Sequence, residues 1–161
     1  MSGTNWTIGI DFGTSNTAAA HTNPVKGTVE AVNLSHNRTT MSSSVYVESP
    51  EQIDVGDVAM DKAESNPAGF IPAPKRVIPQ QMFQVNGYDL SASMPVAAVL
   101  SSVVQRVSRE HGNVQPSELV LTHPEAWSSN EIKVLLDAAA QLGLSAAKIT
   151  TISEPQAAAH Y

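Results

Sequence analysis

The stretch IGIDFGTSNTAAA, residues 8–20, constrains this chain more than any other. An apolar, β-rich run ends in Asp11. Gly13 and three small polar residues, Thr14, Ser15 and Asn16, follow, and then a run of small apolar ones. Two strands joined by so short a polar turn read as a hairpin. The turn collects backbone N–H groups together with the side chains of Thr14, Ser15 and Asn16. Donors converging on one point suit a phosphate. Gly13 lets backbone approach closely, and Asp11 at the strand end can hold a water of a Mg²⁺ ion that bridges phosphates. The same residues also fit an ordinary hairpin capped by an Asx turn. It is not a P-loop, because no GxxxxGK[ST] run occurs in the sequence.

The rest of the first forty residues, with TAAAHT and TVEAVN at hairpin spacing, predicts a three-stranded antiparallel meander. Residues 41–91 are rich in Pro, Ser, Gly and Asn, with short candidate strands and one brief helix at DVAMDKAES. They are too apolar for disorder and read as an inserted α+β subdomain. A helix follows, with Val96, Val99, Leu100, Val103, Val104 and Val107 on one face. ELVLTHP is a buried strand. SSNEIKVLLDAAAQLG is a second helix, with Ser128 and Glu131 able to form a capping box and Ile132, Leu135, Leu136, Ala139 and Leu142 on its apolar face. AKITTISEP is another strand, and PQAAAHY opens a helix. The order is β-β-β, insertion, α-β-α-β-α. Strands that alternate with helices are expected to be parallel and helix-covered, within a mixed sheet. A last helix of two turns is expected to continue in a longer protein.

Apolar residues make up 42% of the 161, enough for a core. A net charge of -6 and the lack of a Lys/Arg cluster argue against a nucleic-acid surface. There is no cysteine, which excludes disulfides and thiol chemistry and fits a reducing, cytoplasmic setting. No secretory signal is visible, and no apolar run approaches the ~20 residues that span a membrane.

Three further stretches, NRTTMSSSVYV (37–47), APKRVI (73–78) and ISEPQAAAHY (152–161), stand in a fixed order behind the opening turn. Together they resemble the ATPase domain of the 70-kDa heat-shock chaperones of DnaK type, over essentially the whole chain. Where that family has IDLGTTNS, NRTTPS, KRLIG and NEPTAAA, this chain has IDFGTSNT, NRTTMS, KRVIP and SEPQAAA. The resemblance implies the first lobe of an actin-like (ribonuclease H-like) ATPase. Residues 1–40 and 92–161 would form its core subdomain and 41–91 the insertion. Gly13, Thr14, Ser15 and Asn16 would line the β- and γ-phosphates of ATP or ADP. Asp11 and Glu154 would act through the waters of Mg²⁺. Lys75 would orient the attacking water or stabilise charge on the γ-phosphate, and Pro124 would be a hinge. Without the resemblance, Lys75 reads as a surface cation in a loop, Glu154 as a carboxylate favoured by a helix dipole, and Pro124 as the end of a strand. His123, where the family has an aliphatic residue, reads as structural, and Trp127 as packing.

The chain also departs from the family pattern. Ile132 stands where the family has an arginine tied to communication with the peptide-binding domain, and SEP replaces NEP. The second lobe, with its DxGGGT loop and adenosine pocket, is expected to lie outside this sequence, as is any client-binding domain or membrane anchor. One lobe is expected to hold nucleotide weakly and to show no turnover by itself. Other readings of the same residues are a non-hydrolysing nucleotide sensor or scaffold, a small-molecule kinase of the same fold, and a filament-forming protein.

Overall fold

In a computed structural model the protein is described over residues 5–23, 27–34, 38–144 and 147–153. Its centre is β1 (Thr7–Phe12), in which Ile8, Ile10 and Phe12 are buried while Asp11 is exposed. That alternation gives the strand one core face and one open face. β2 (Asn16–Asn23) returns antiparallel, with Phe12 opposite Thr17, and carries β3 (Thr28–Ala31) and β4 (Thr40–Ser42) at opposite ends of its free edge. The expected boundary between residues 40 and 41 therefore falls inside β4, which belongs to the main sheet through its pairing with β2.

A second, antiparallel sheet follows: β5 (Val45–Ser49), β6 (Gln52–Val55) and β7 (Phe70–Ile71), in the order β6-β5-β7. α1 (Gly56–Ser65) leaves directly from β6. Residues Pro74–Gln80 form a 3-10 helix, not the open loop that Lys75 suggested on its own. β8 (Met82–Val85) and β9 (Tyr88–Ser91) form a hairpin whose two turn residues, Asn86 and Gly87, both have positive φ, at 52° and 81°. Asn-Gly accepts that geometry, and it matches the twist of the paired strands.

α2 (Ser93–Ser108) packs its valine face between β1 of the main sheet and β5 and β6 of the second. Val96, Val99, Leu100, Val103 and Val107 are fully buried. Each such side chain contributes about 1.5–3 kcal/mol by leaving water. β10 (Glu118–His123) then pairs parallel with β1, and β11 (Lys148–Ser153) parallel with β10. The sheet is mixed, as expected, in the order β11-β10-β1-β2-β3. α3 (Ser129–Ala140) connects β10 to β11 and packs against α2. It buries Val134, Leu135, Ala138 and Ala139, while Leu136 stays 38% exposed and Ile132 half-buried. The expected face holds at Leu135 and Ala139, which are buried, and at Leu142, which is partly buried against the core, but not at Leu136, which falls on the exposed side with Lys133 and Asp137. At the helix start the Glu131 carboxylate accepts from both the N–H and the hydroxyl of Ser128. The expected final helix and Glu154 lie outside the described residues.

At the end of β1 away from Asp11, an aromatic cluster ties the C-terminal end of α2 to the sheet. The His111 ring stacks on buried Trp6 at 3.9 Å between centroids, and His111 Nε2 lies 2.8 Å from Nδ1 of His21. Burial, then repulsion from His21, holds the His111 imidazole below its ordinary pKa. Glu30 approaches the other nitrogen of His21 at 4.0 Å.

Candidate functional site

The site grows from the end of β1. Ile10 and Phe12 point into the core, so Asp11 between them faces the opposite side of the sheet. The parallel neighbour β10 has Leu121 beside Ile10, and the next residue, Thr122, donates its hydroxyl to Oδ1 of Asp11 at 3.0 Å. The strand then becomes a turn. Gly13 N–H donates to the Asn16 carbonyl at 3.0 Å. A Cβ on Gly13 would lie 2.4 Å from that same oxygen, so a side chain here would break the turn.

The turn is clamped from behind by the residues that follow β4. Ser43 N–H donates to the Ser15 carbonyl at 3.0 Å, and the Ser43 hydroxyl donates to the Gly13 carbonyl at 2.9 Å. The backbone N–H groups of Thr14 and Ser15 make no hydrogen bond with any described residue. Thr14 is half-buried and Ser15 and Asn16 are exposed. The turn therefore offers backbone donors and polar side chains to whatever approaches it. Such a set suits an anion.

A column of rings marks the segment beyond β10. His123 Nδ1–H donates to the Pro124 carbonyl at 2.9 Å. The His123 ring lies nearly parallel to that of Trp127, 6.2 Å between centroids, and Lys75 Nζ sits 5.6 Å from the centroid of Trp127. The 3-10 helix thus brings Lys75 to the segment containing Pro124, through a cation–π contact.

The structure gathers Asp11, Gly13, Thr14, Ser15 and Asn16 at one end of the sheet and places Lys75 beside the Pro124 segment. Glu154 lies outside the described residues. Sequence reasoning missed three participants. Thr122 and Ser43 carry no local signal, because their partners are 111 and 30 residues away. Trp127, read as packing, also carries the Lys75 ammonium. Among the described residues no group of three or more His, Cys, Asp or Glu could hold a metal directly. No described helix is long and apolar enough to cross a membrane.

A mixed sheet whose central strand ends in a carboxylate and an anion-suited turn defines a class of α/β protein in which ligands meet the carboxyl ends of strands. Comparison with known proteins narrows it. No family model matches the chain. The chain is 30% identical over 154 residues to the chaperone protein DnaK of Picrophilus torridus, 32% over 156 residues to that of Elusimicrobium minutum, and 29% over 175 residues to that of Deinococcus radiodurans. Each alignment covers 94% of this chain and 25%, 25% and 27% of the relative, respectively. The chain is thus similar to DnaK chaperones along nearly its whole length, and it spans about a quarter of the length of these curated relatives.

Proposed function

We propose that the chain is one lobe of the nucleotide-binding domain of a 70-kDa heat-shock-type chaperone, of the actin-like fold. It binds the phosphates of Mg-ATP and, in the complete protein, takes part in ATP hydrolysis that drives a chaperone-type conformational cycle on a client protein. The observation that carries this reading is the Gly13–Asn16 turn, which follows the Asp11 carboxylate and whose Thr14 and Ser15 N–H groups have no partner among the described residues. The similarity to DnaK over 94% of the chain supports it. A cytoplasmic location goes with the reading, as does the absence of cysteine.

The residues present fit the group they would hold. Thr14, Ser15 and Asn16 donate to the β- and γ-phosphate oxygens. Asp11 already accepts from Thr122 through Oδ1, and its other oxygen is left to take a proton of a water. Glu154 supplies the second carboxylate. Bound Mg-ATP supplies the phosphoryl group and the charge of the ion. Phosphoryl transfer needs positioning and charge neutralisation more than covalent help. Lys75 provides a cation for that purpose, held in place by Trp127, and Pro124 acts as the hinge between β10 and α3.

The test is single-turnover ATP hydrolysis by the full-length protein and by its Lys75→Ala variant. Hydrolysis that collapses in the variant supports the ATPase reading. Binding of Mg-ATP with no hydrolysis in either protein replaces it with a sensor. The 161-residue chain alone is expected to show no turnover.

A further inference from the structure

Ser43 is fully buried in the link between β4 and β5, and its N–H and hydroxyl both serve the turn. Its hydroxyl donates to the Gly13 carbonyl. A hydroxyl has one proton, so in the 2.8 Å contact between Ser43 Oγ and Thr17 Oγ1 the donor is Thr17. The result is a directed chain from Thr17 to Ser43 to the Gly13 carbonyl, with every buried hydroxyl satisfied. Ser43 N–H adds the bond to the Ser15 carbonyl.

A trans peptide is planar, so its C=O and the following N–H point in opposite directions. Drawing the Gly13 carbonyl onto Ser43 turns the Thr14 N–H away from β4. Drawing the Ser15 carbonyl the same way does so for the Asn16 N–H. Glycine tolerates either orientation of the peptide that follows it. Without the Ser43 hydroxyl, the Gly13 carbonyl is free to rotate and present an acceptor where an anion needs a donor.

We propose that Ser43 is a positioning residue. Its hydroxyl sets the orientation of the Gly13–Thr14 peptide so that the turn presents a donor to the nucleotide phosphates. This rests on the phosphate-binding reading above. Any residue but proline at position 43 can make the backbone bond to Ser15, so the side chain's own contribution is the bond to Gly13.

The experiment measures Mg-ADP and AMP affinities of the full-length protein by calorimetry. AMP lacks the β-phosphate, so a purely structural loss does not change the ratio of the two. Ser43→Ala is expected to lower that ratio about tenfold, by loss of a hydrogen bond and of the donor it orients. Ser43→Thr is expected to restore it. Ser42→Ala, which removes a hydroxyl bonded to Ser44 and not to the turn, is expected to leave it unchanged. A wild-type ratio in Ser43→Ala overturns the proposal. If Ser43→Ala does not fold, Thr17→Val decides. It removes the donor that orients Ser43 and is expected to lower the ratio about threefold, whereas no change overturns the proposal. A wild-type protein that binds no Mg-ADP removes the phosphate reading itself, and Ser43's role with it.

Discussion

Thr122 Oγ1 donates to Asp11 Oδ1 across the ends of two parallel strands, joining residues 111 positions apart in the chain. The bond fixes the carboxylate rotamer beside the turn. Thr122→Val keeps the shape and removes the donor. Both groups are partly solvated, so the expected loss lies below the usual range for a bond to a charged group, at about 1 kcal/mol. Mg-ADP affinity is expected to fall about fivefold, and the melting temperature by a few degrees. Calorimetry and thermal melts on the same protein check both halves.

Gly13→Ala is expected to be far more severe than a glycine-to-alanine change at an open turn. Its Cβ would meet a backbone carbonyl at 2.4 Å, and a backbone atom cannot swing aside as a flexible side chain does. The turn must open. A stability loss of about 1–3 kcal/mol is expected, together with loss of Mg-ADP binding. Urea unfolding measures the first and nucleotide titration the second.

Trp127 supports the Lys75 ammonium, so its ring should matter for turnover more than for binding. Trp127→Ala is expected to slow single-turnover hydrolysis about threefold to tenfold, the scale of a partly exposed cation–π contact. Trp127→Phe is expected to retain most of the rate. Equal rates in the alanine variant and the wild type would show that the lysine is held by other contacts.

The Trp6–His111–His21 cluster makes stability depend on pH. His111 titrates below its ordinary 6.5 in the folded protein, through burial and then repulsion from His21, partly opposed by Glu110. The unfolded chain therefore takes up a proton first as pH falls. Stability is expected to decline on acidification from about pH 6.5 and to level off below the folded value. In His111→Phe, which keeps a ring against Trp6, the decline in melting temperature between neutral pH and pH 5 is expected to be shallower.

The parts of this molecule legible in the sequence are those with a local cause. The period-two burial of β1 and the valine stripe of α2 show in ten-residue windows, and so do the positive-φ glycines that end helices at 112 and 143. α3 was legible as a helix and in most of its apolar face, but Leu136 falls on the exposed side with Lys133 and Asp137. The 3-10 helix at Pro74–Gln80 was hidden by its prolines, which also mark loops. At the site, Asp11 and the turn announced themselves by spacing. Ser43, Thr122 and the ring beneath Lys75 did not, since each becomes a partner only when the chain has crossed the sheet.

The position of β1 also has a consequence for synthesis. The strand is made long before its parallel neighbour β10, which begins at Glu118. Until then the β1–β2 hairpin keeps one long edge with unpaired backbone groups, and before α2 is made Ile8, Ile10 and Phe12 also lack its cover. A nascent chain in that state is open to pairing with other strands. This protein is therefore expected to need protection on the ribosome for more than a hundred residues, and to refold slowly for its size because its central pairing is so distant in sequence.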